Sequence, residues 1–204
     1  MKRMFLGIFL SVSAVLAFGD ATIIDNWGQV AVPAAPELRA VAVDPTTTAL
    51  LLLDFQDQTV SSRPRAVATV PRVKNLLDFA RAAHLLVAYS TTNAGSREAI
   101  LPALQALPEE HVVKASVDKF FGTDLEQFLK SEGIKQVIIA GIVAEGAVLG
   151  TSIGAALRGF KVIVPVDGTA SSELYAEQYV AWHLMNAPGV RGNVTLTRTD
   201  LIGL

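Results

Sequence analysis

The chain has 204 residues, 51% of them hydrophobic and 18% charged, which supplies the core of one ordinary domain and is too apolar for an intrinsically disordered chain. Its 17 basic and 19 acidic residues leave a formal charge of -2, so no basic surplus points to nucleic acid or to an anionic membrane surface. There is no cysteine, and that excludes disulfides, thiolate metal sites, iron–sulfur clusters and a cysteine nucleophile together.

Lys2 and Arg3 precede an apolar run from Met4 to Phe18, the charged start and short hydrophobic stretch of a secretory signal peptide. Residues 1–21 are therefore expected to be an export signal, with Ala17-Phe18-Gly19 and Gly19-Asp20-Ala21 as alternative cleavage sites. An uncleaved membrane anchor is the competing reading, although the run is short of the roughly 20 residues of a full span. The mature chain is then expected in the periplasm or outside the cell, away from the membrane. Residues 22–46, rich in Pro and Ala without a clear period, read as an extended lead-in, and residues 47–204 as the folded domain.

From Ala49 the pattern becomes regular. ALLLLDF is a continuous apolar run, as in a strand buried on both faces of a parallel sheet, and it closes on Asp54. Helical spacing of Val73, Leu76, Leu77 and Ala80 predicts a helix over Val70–Ala83, followed by a second strand, Leu85–Ser90. HVVK is a third strand ending on Lys114. Thr123 with Glu126 three residues later reads as a capping box, and Gly133 stops that helix. KQVIIAG is a fourth strand. A turn then leads to a small-residue helix from Ala147 to Arg158, closed by Gly159, and FKVIVPVD is a fifth strand. Leu174–Asn186 is predicted helical, and NVTLT forms a sixth, edge-like strand. This alternation implies right-handed βαβ units and a three-layer α/β/α sandwich on a six-stranded, mostly parallel sheet.

In open parallel sheets ligands sit beyond the carboxyl ends of the strands. Asp54, Lys114 and the turn from Gly141 to Gly146 fall at such ends. A carboxylate and an ammonium held together in a partly dry crevice perturb each other and can handle a proton jointly. Backbone amides at the start of the following helix can hold an oxyanion or a carboxylate. Taken alone, an Asp closing a strand is more often a turn former, and a Lys there is more often solvated.

ALLLLDFQ, VVKASVDKFFGTDLEQFL and VIIAGIVAEGAVLGTSIGAALRGFKVIVPVDG resemble the three signature segments of the isochorismatase-like hydrolases, the superfamily that includes nicotinamidases and other cysteine amidohydrolases. The resemblance runs in order from about Ala49 to the C terminus. It implies a Rossmann-like sheet with a site made of Asp54, Lys114 and position 147. It also implies a cis peptide between Val143 and Ala144 and an oxyanion hole from the amides of Ala144 and Ala147. Where the amidohydrolases carry the attacking cysteine, this chain has Ala147, and a methyl group closes covalent acyl-enzyme chemistry. Isochorismatases proper lack that cysteine and cleave a vinyl ether by protonation and water attack. Ala147 is compatible with such a native lineage, with a site decayed into a catalytically silent binder of small ligands or partners, or with a Cys→Ala substitution.

The resemblance brings Arg63, Arg65 and Phe120 near the pocket rim, as contacts to a substrate carboxylate or ring. The nicotinamidase branch holds its metal with an Asp and His residues after the first strand, and FQDQTVSSRPRAVATV contains no His; no metal or other cofactor is expected. His84, His111 and His183 form no H-x-x-x-H pair, and Glu145 reads as a turn residue. No phosphate loop or dinucleotide fingerprint occurs. Gly146, Gly150 and Gly154 suggest a smooth helix face against the sheet. Trp182 and His183 suggest packing at a subunit contact, and a homo-oligomer is expected.

Overall fold

The run from Thr48 to Leu53 is apolar at five of its six positions and buried at all of them, as a strand covered on both faces requires. The computed structural model that shows this describes residues 21–204, so the expected signal segment lies outside the described residues apart from Ala21. The chain divides into two units, residues 1–34 and 35–204. In the first, a 3-10 turn spans Trp27–Gln29, and the Thr22 amide and hydroxyl donate to the Asp25 carboxylate at 2.7 Å. Among its described residues this unit has no other helix or strand.

The second unit runs β1 (Val41–Ala42), β2 (Thr48–Leu53), α1 (Asp57–Val60), α2 (Pro64–Ala82), β3 (Leu86–Thr91), β4 (His111–Lys114) and α3 (Leu125–Ser131). It continues through β5 (Gln136–Ile142), α4 (Leu149–Leu157), β6 (Lys161–Pro165), β7 (Thr169–Ala170), α5 (Leu174–Asn186), β8 (Val194–Thr197) and β9 (Ile202–Gly203). β1 and β9 form a separate two-stranded parallel pair. The main sheet has the order β4-β3-β2-β5-β6-β8 with β7 added beside β5, and every pairing is parallel. It has seven strands rather than six because β7 is two residues long, too short to leave a period in the sequence.

Leu50, Leu52, Ile138 and Ala140 pack on one face of the sheet with Val73, Leu76, Leu77 and Ala80 of α2. Leu51, Leu53, Val137 and Ile139 pack on the other with residues of α3, α4 and α5. The chain therefore makes the expected α/β/α sandwich. α2 begins six residues before the expected start, with Pro64 in its first turn and Pro71 inside the helix. Pro71 reads as a helix start in the sequence because an interior proline forfeits a hydrogen bond; here the apolar face of α2 carries the helix through it.

From β2 the chain winds one way, to β3 and β4, and from β5 the other way, to β6 and β8. The strand order thus reverses between β2 and β5, and a crevice opens at the carboxyl ends of strands at such a reversal. Asp54 follows β2, and the expected oxyanion turn follows β5.

Candidate functional site

Side-chain alternation would place Asp54 on the face of Leu50 and Leu52. Its φ of 56°, left-handed and rare for a non-glycine residue, breaks that alternation. The carboxylate instead accepts a hydrogen bond from the Ser90 hydroxyl, at the end of β3, at 2.7 Å on Oδ1, and one from the Lys119 ammonium at 2.7 Å on Oδ2. Asp54 is 4% exposed and Lys119 fully buried. Holding a non-glycine residue at such a φ costs on the order of 1–3 kcal/mol, and strain of this kind gathers at functional sites.

The lysine on Asp54 is therefore not Lys114. Lys114 ends the edge strand β4, opposite Thr91, with its side chain exposed. β4 lies two strands from β2, roughly 10 Å at ordinary strand spacing. The loop after β4 turns back, and Lys119, five residues on, reaches the carboxylate from it. Its ammonium also donates to the carbonyls of Ala115, at 3.1 Å, and Ser116. All three ammonium protons are thus committed within the protein, two of them to the loop that carries the residue.

Burial pushes the Asp54 carboxyl above the ordinary aspartate value, against the opposing pull of the Lys119 ammonium and the Ser90 hydroxyl. Burial wins because a carboxylate loses its hydration here and recovers it only in part from two donors.

After β5 the peptide between Ile142 and Val143 is cis, one residue before the expected position. Residues Ala144–Val148 form a single π-helical turn, so α4 proper begins at Leu149 and not at Ala147. The Val143 carbonyl accepts the amides of Gly146 at 3.2 Å and Val148 at 3.3 Å, passing over that of Ala147. Turns of this kind recur at functional sites. Ala144 and Ala147 are buried, Ala147 at 5% exposure, and Val143 is half-buried while Glu145 faces solvent.

Phe120 is not at a rim. It is buried in the core, stacked on Phe160 with ring centroids 5.8 Å apart, and the Arg158 guanidinium lies 4.9 Å from its centroid. Its neighbour Phe121 is the exposed ring. Arg63 donates to the Ser172 hydroxyl and to the Thr59 carbonyl, and Arg65 forms a fork-to-fork pair with Glu177. Arg63 ties the start of α2 to the β7–α5 connection, and Arg65 ties it to α5 itself.

Gly150 and Gly154 face the loop that carries Lys119 rather than the sheet. A Cβ on Gly150 would meet Val117 Cγ1 at 2.6 Å, and one on Gly154 would meet Asp118 Oδ1 at 2.5 Å. The capping box does not form. The Thr123 hydroxyl accepts from the Leu125 amide and donates to the Lys119 carbonyl, while Glu126 pairs with Lys130 and Arg158.

His111 stacks on Phe128 and bonds Asp124, and His183 meets Tyr179. His84 adopts a left-handed φ of 58° after α2. No group of three metal-ligating side chains occurs among the described residues. In α5, Val180 and Leu184 face the core while Trp182 is partly exposed.

The parallel α/β/α sandwich agrees with the fold that the sequence motifs imply. Residues 48–199 match the isochorismatase domain, and the chain belongs to the isochorismatase family of hydrolases. It is similar to a streptothricin hydrolase of Streptomyces noursei, at 30% identity over 84% of this chain and 68% of that protein. Its fold matches an isochorismatase family protein from Burkholderia thailandensis with a TM-score of 0.69, at 21% identity over 79% of this chain and 95% of the other. It also matches the Staphylococcus aureus nicotinamidase with a TM-score of 0.66, at 23% identity over 75% and 99% of the two chains.

Proposed function

We propose that this chain hydrolyses a small molecule by proton transfer from Asp54 and water attack, without a covalent enzyme intermediate. One observation carries the reading: a buried aspartate, bonded to Ser90 and Lys119, lies at the strand reversal next to the strand that leads into the Ala144–Val148 turn, where the family resemblance would put a nucleophile and this chain has Ala147. The raised Asp54 carboxyl holds a proton to higher pH than an exposed aspartate, which suits a general acid. Lys119, with its ammonium protons committed inside the protein, acts on Asp54 and not on the ligand. The amides of Ala144 and Ala147, which the Val143 carbonyl does not take, orient the substrate.

For a vinyl ether the Asp54 proton goes to the terminal vinyl carbon and leaves an oxocarbenium ion. Water adds to the cationic carbon, its released proton returns to Asp54, and the hemiketal breaks its C–O bond to give a ketone and an alcohol. One water is consumed and no residue changes oxidation state. Residues 1–21, read as an export signal, support action in the periplasm or outside the cell.

The test is turnover of a panel containing isochorismate, streptothricin, nicotinamide and N-carbamoylsarcosine by wild type and Asp54→Asn. A general acid contributes roughly 10²–10⁴-fold, and Asp54→Asn should lose that factor on any substrate the wild type accepts. Tight binding of small acids with no turnover by wild type would favour the silent-binder alternative.

A further inference from the structure

We infer that Thr151 is a positioning residue for the Asp54–Lys119 pair, setting through the Lys119 backbone where the ammonium stands; the inference rests on the reading of that pair as the functional centre. Lys119 sits on a loop, and a flexible four-carbon side chain on a loose loop would not hold one carboxylate in one geometry. This loop is fixed to α4. The fully buried Thr151 hydroxyl accepts the Lys119 amide at 3.2 Å and donates to the Val117 carbonyl at 3.3 Å. It therefore bonds the loop on both sides of Asp118.

The neighbouring surface of the helix is shaped for the same purpose. Gly150 and Gly154 leave room for Val117 and Asp118, which a Cβ at either position would displace. Asp118 is turned away from the site, accepting the Phe120 amide at 3.0 Å and pairing with Arg158 at 3.4 Å. Arg158 also bonds Glu126 and the Gly154 carbonyl. Thr151 lies four residues beyond Ala147, on the same side of the helical segment. One helix thus references both the turn at position 147 and the lysine that holds Asp54.

The experiment uses the full-length protein labelled with 13C and 15N, and reads the Asp54 carboxyl carbon against pH together with the Lys119 ammonium nitrogen. The charged partner bonded to Asp54 is Lys119, and Ser90 supplies the other donor. Thr151→Val removes both loop hydrogen bonds at nearly constant volume. It should move the Asp54 midpoint upward, because the ammonium's pull weakens while burial remains, and should broaden or remove the slowly exchanging Lys119 signal. Thr151→Ser, which keeps the hydroxyl, should restore both readouts.

Gly150→Ala retains the hydroxyl but pushes a methyl at Val117, and should move the same two signals; it also serves if Thr151→Val gives no dispersed spectrum. A folded Thr151→Val protein, or failing that a folded Gly150→Ala protein, with the wild-type Asp54 midpoint and Lys119 signal overturns the inference. These readouts need no substrate, so they stand apart from any failure of Asp54→Asn to affect turnover.

Discussion

Asp54 and Lys119 form a buried ion pair whose members depend on each other unequally. Removing one partner of such a pair strands the other as an uncompensated charge, at a cost of about 3–5 kcal/mol. Lys119→Met should therefore lower stability in urea by about that amount at neutral pH, and by less at low pH where Asp54 is neutral. The pH dependence of the wild type carries the same signature. Because the folded-state carboxyl lies above the unfolded-state value, the native chain keeps a proton that the unfolded chain has lost. This contribution to stability is fully present below the ordinary aspartate value of 3.8 and is lost as pH rises through the folded value. Urea midpoints for wild type and Asp54→Asn should accordingly diverge on raising the pH from about 4, with the wild type losing ground. A difference that stays flat with pH would mean that Asp54 titrates as an exposed carboxyl.

At this scale the aspartate was legible and the lysine was not. An acid closing a continuous apolar run marks a strand end, and Asp54 is that residue. The same rule applied to HVVK points to Lys114, whose side chain faces solvent at the sheet edge. What selects Lys119 is a loop return fixed by Gly150, Thr151 and Gly154, more than 30 residues later in the chain, and local spacing carries no trace of it. Ser90 had a signal: it closes LLVAYS on the neighbouring strand and lies level with Leu53.

Among the elements, strands were read most accurately because their burial on both faces leaves unbroken apolar runs. Helix starts were read less well. Pro71 hid the first turns of α2, and the π-helical turn at Ala144–Val148 displaced the start of α4 by two residues. The β2–β5 contact behind the site depends on the missing side chain of Gly141, where a Cβ would lie 2.6 Å from Leu53 Cβ and 3.0 Å from the Leu53 carbonyl oxygen. Backbone cannot yield there as a flexible side chain can. Gly141→Ala should cost about 1–3 kcal/mol, the range for overpacking a filled core, measured as a drop in urea midpoint at constant slope. An unchanged midpoint would show that the strands separate without penalty.

For the whole molecule, the order β4-β3-β2-β5-β6-β8 puts Asp54 and the turn after β5 on adjacent strands at the reversal. No residue-level pattern states that order, but the alternation of strands and helices restricts it strongly. The missing cysteine gains its meaning at this scale, since it leaves an isochorismatase-family domain with a methyl where the resemblance places a nucleophile. Ala147→Cys puts a thiol in the π-helical turn that precedes α4, and should gain activity on amides such as nicotinamide without losing the fold. No gain in a folded Ala147→Cys protein would mean that the turn does not present position 147 to a ligand.

The most direct measurement is the rate of substrate consumption by wild type and Asp54→Asn across the same panel of vinyl ethers and amides, with both proteins shown to be folded. The expected result is turnover of at least one compound by the wild type and a loss of roughly 10²–10⁴-fold in Asp54→Asn. Turnover by Asp54→Asn at the wild-type rate would contradict the assignment of proton transfer to Asp54.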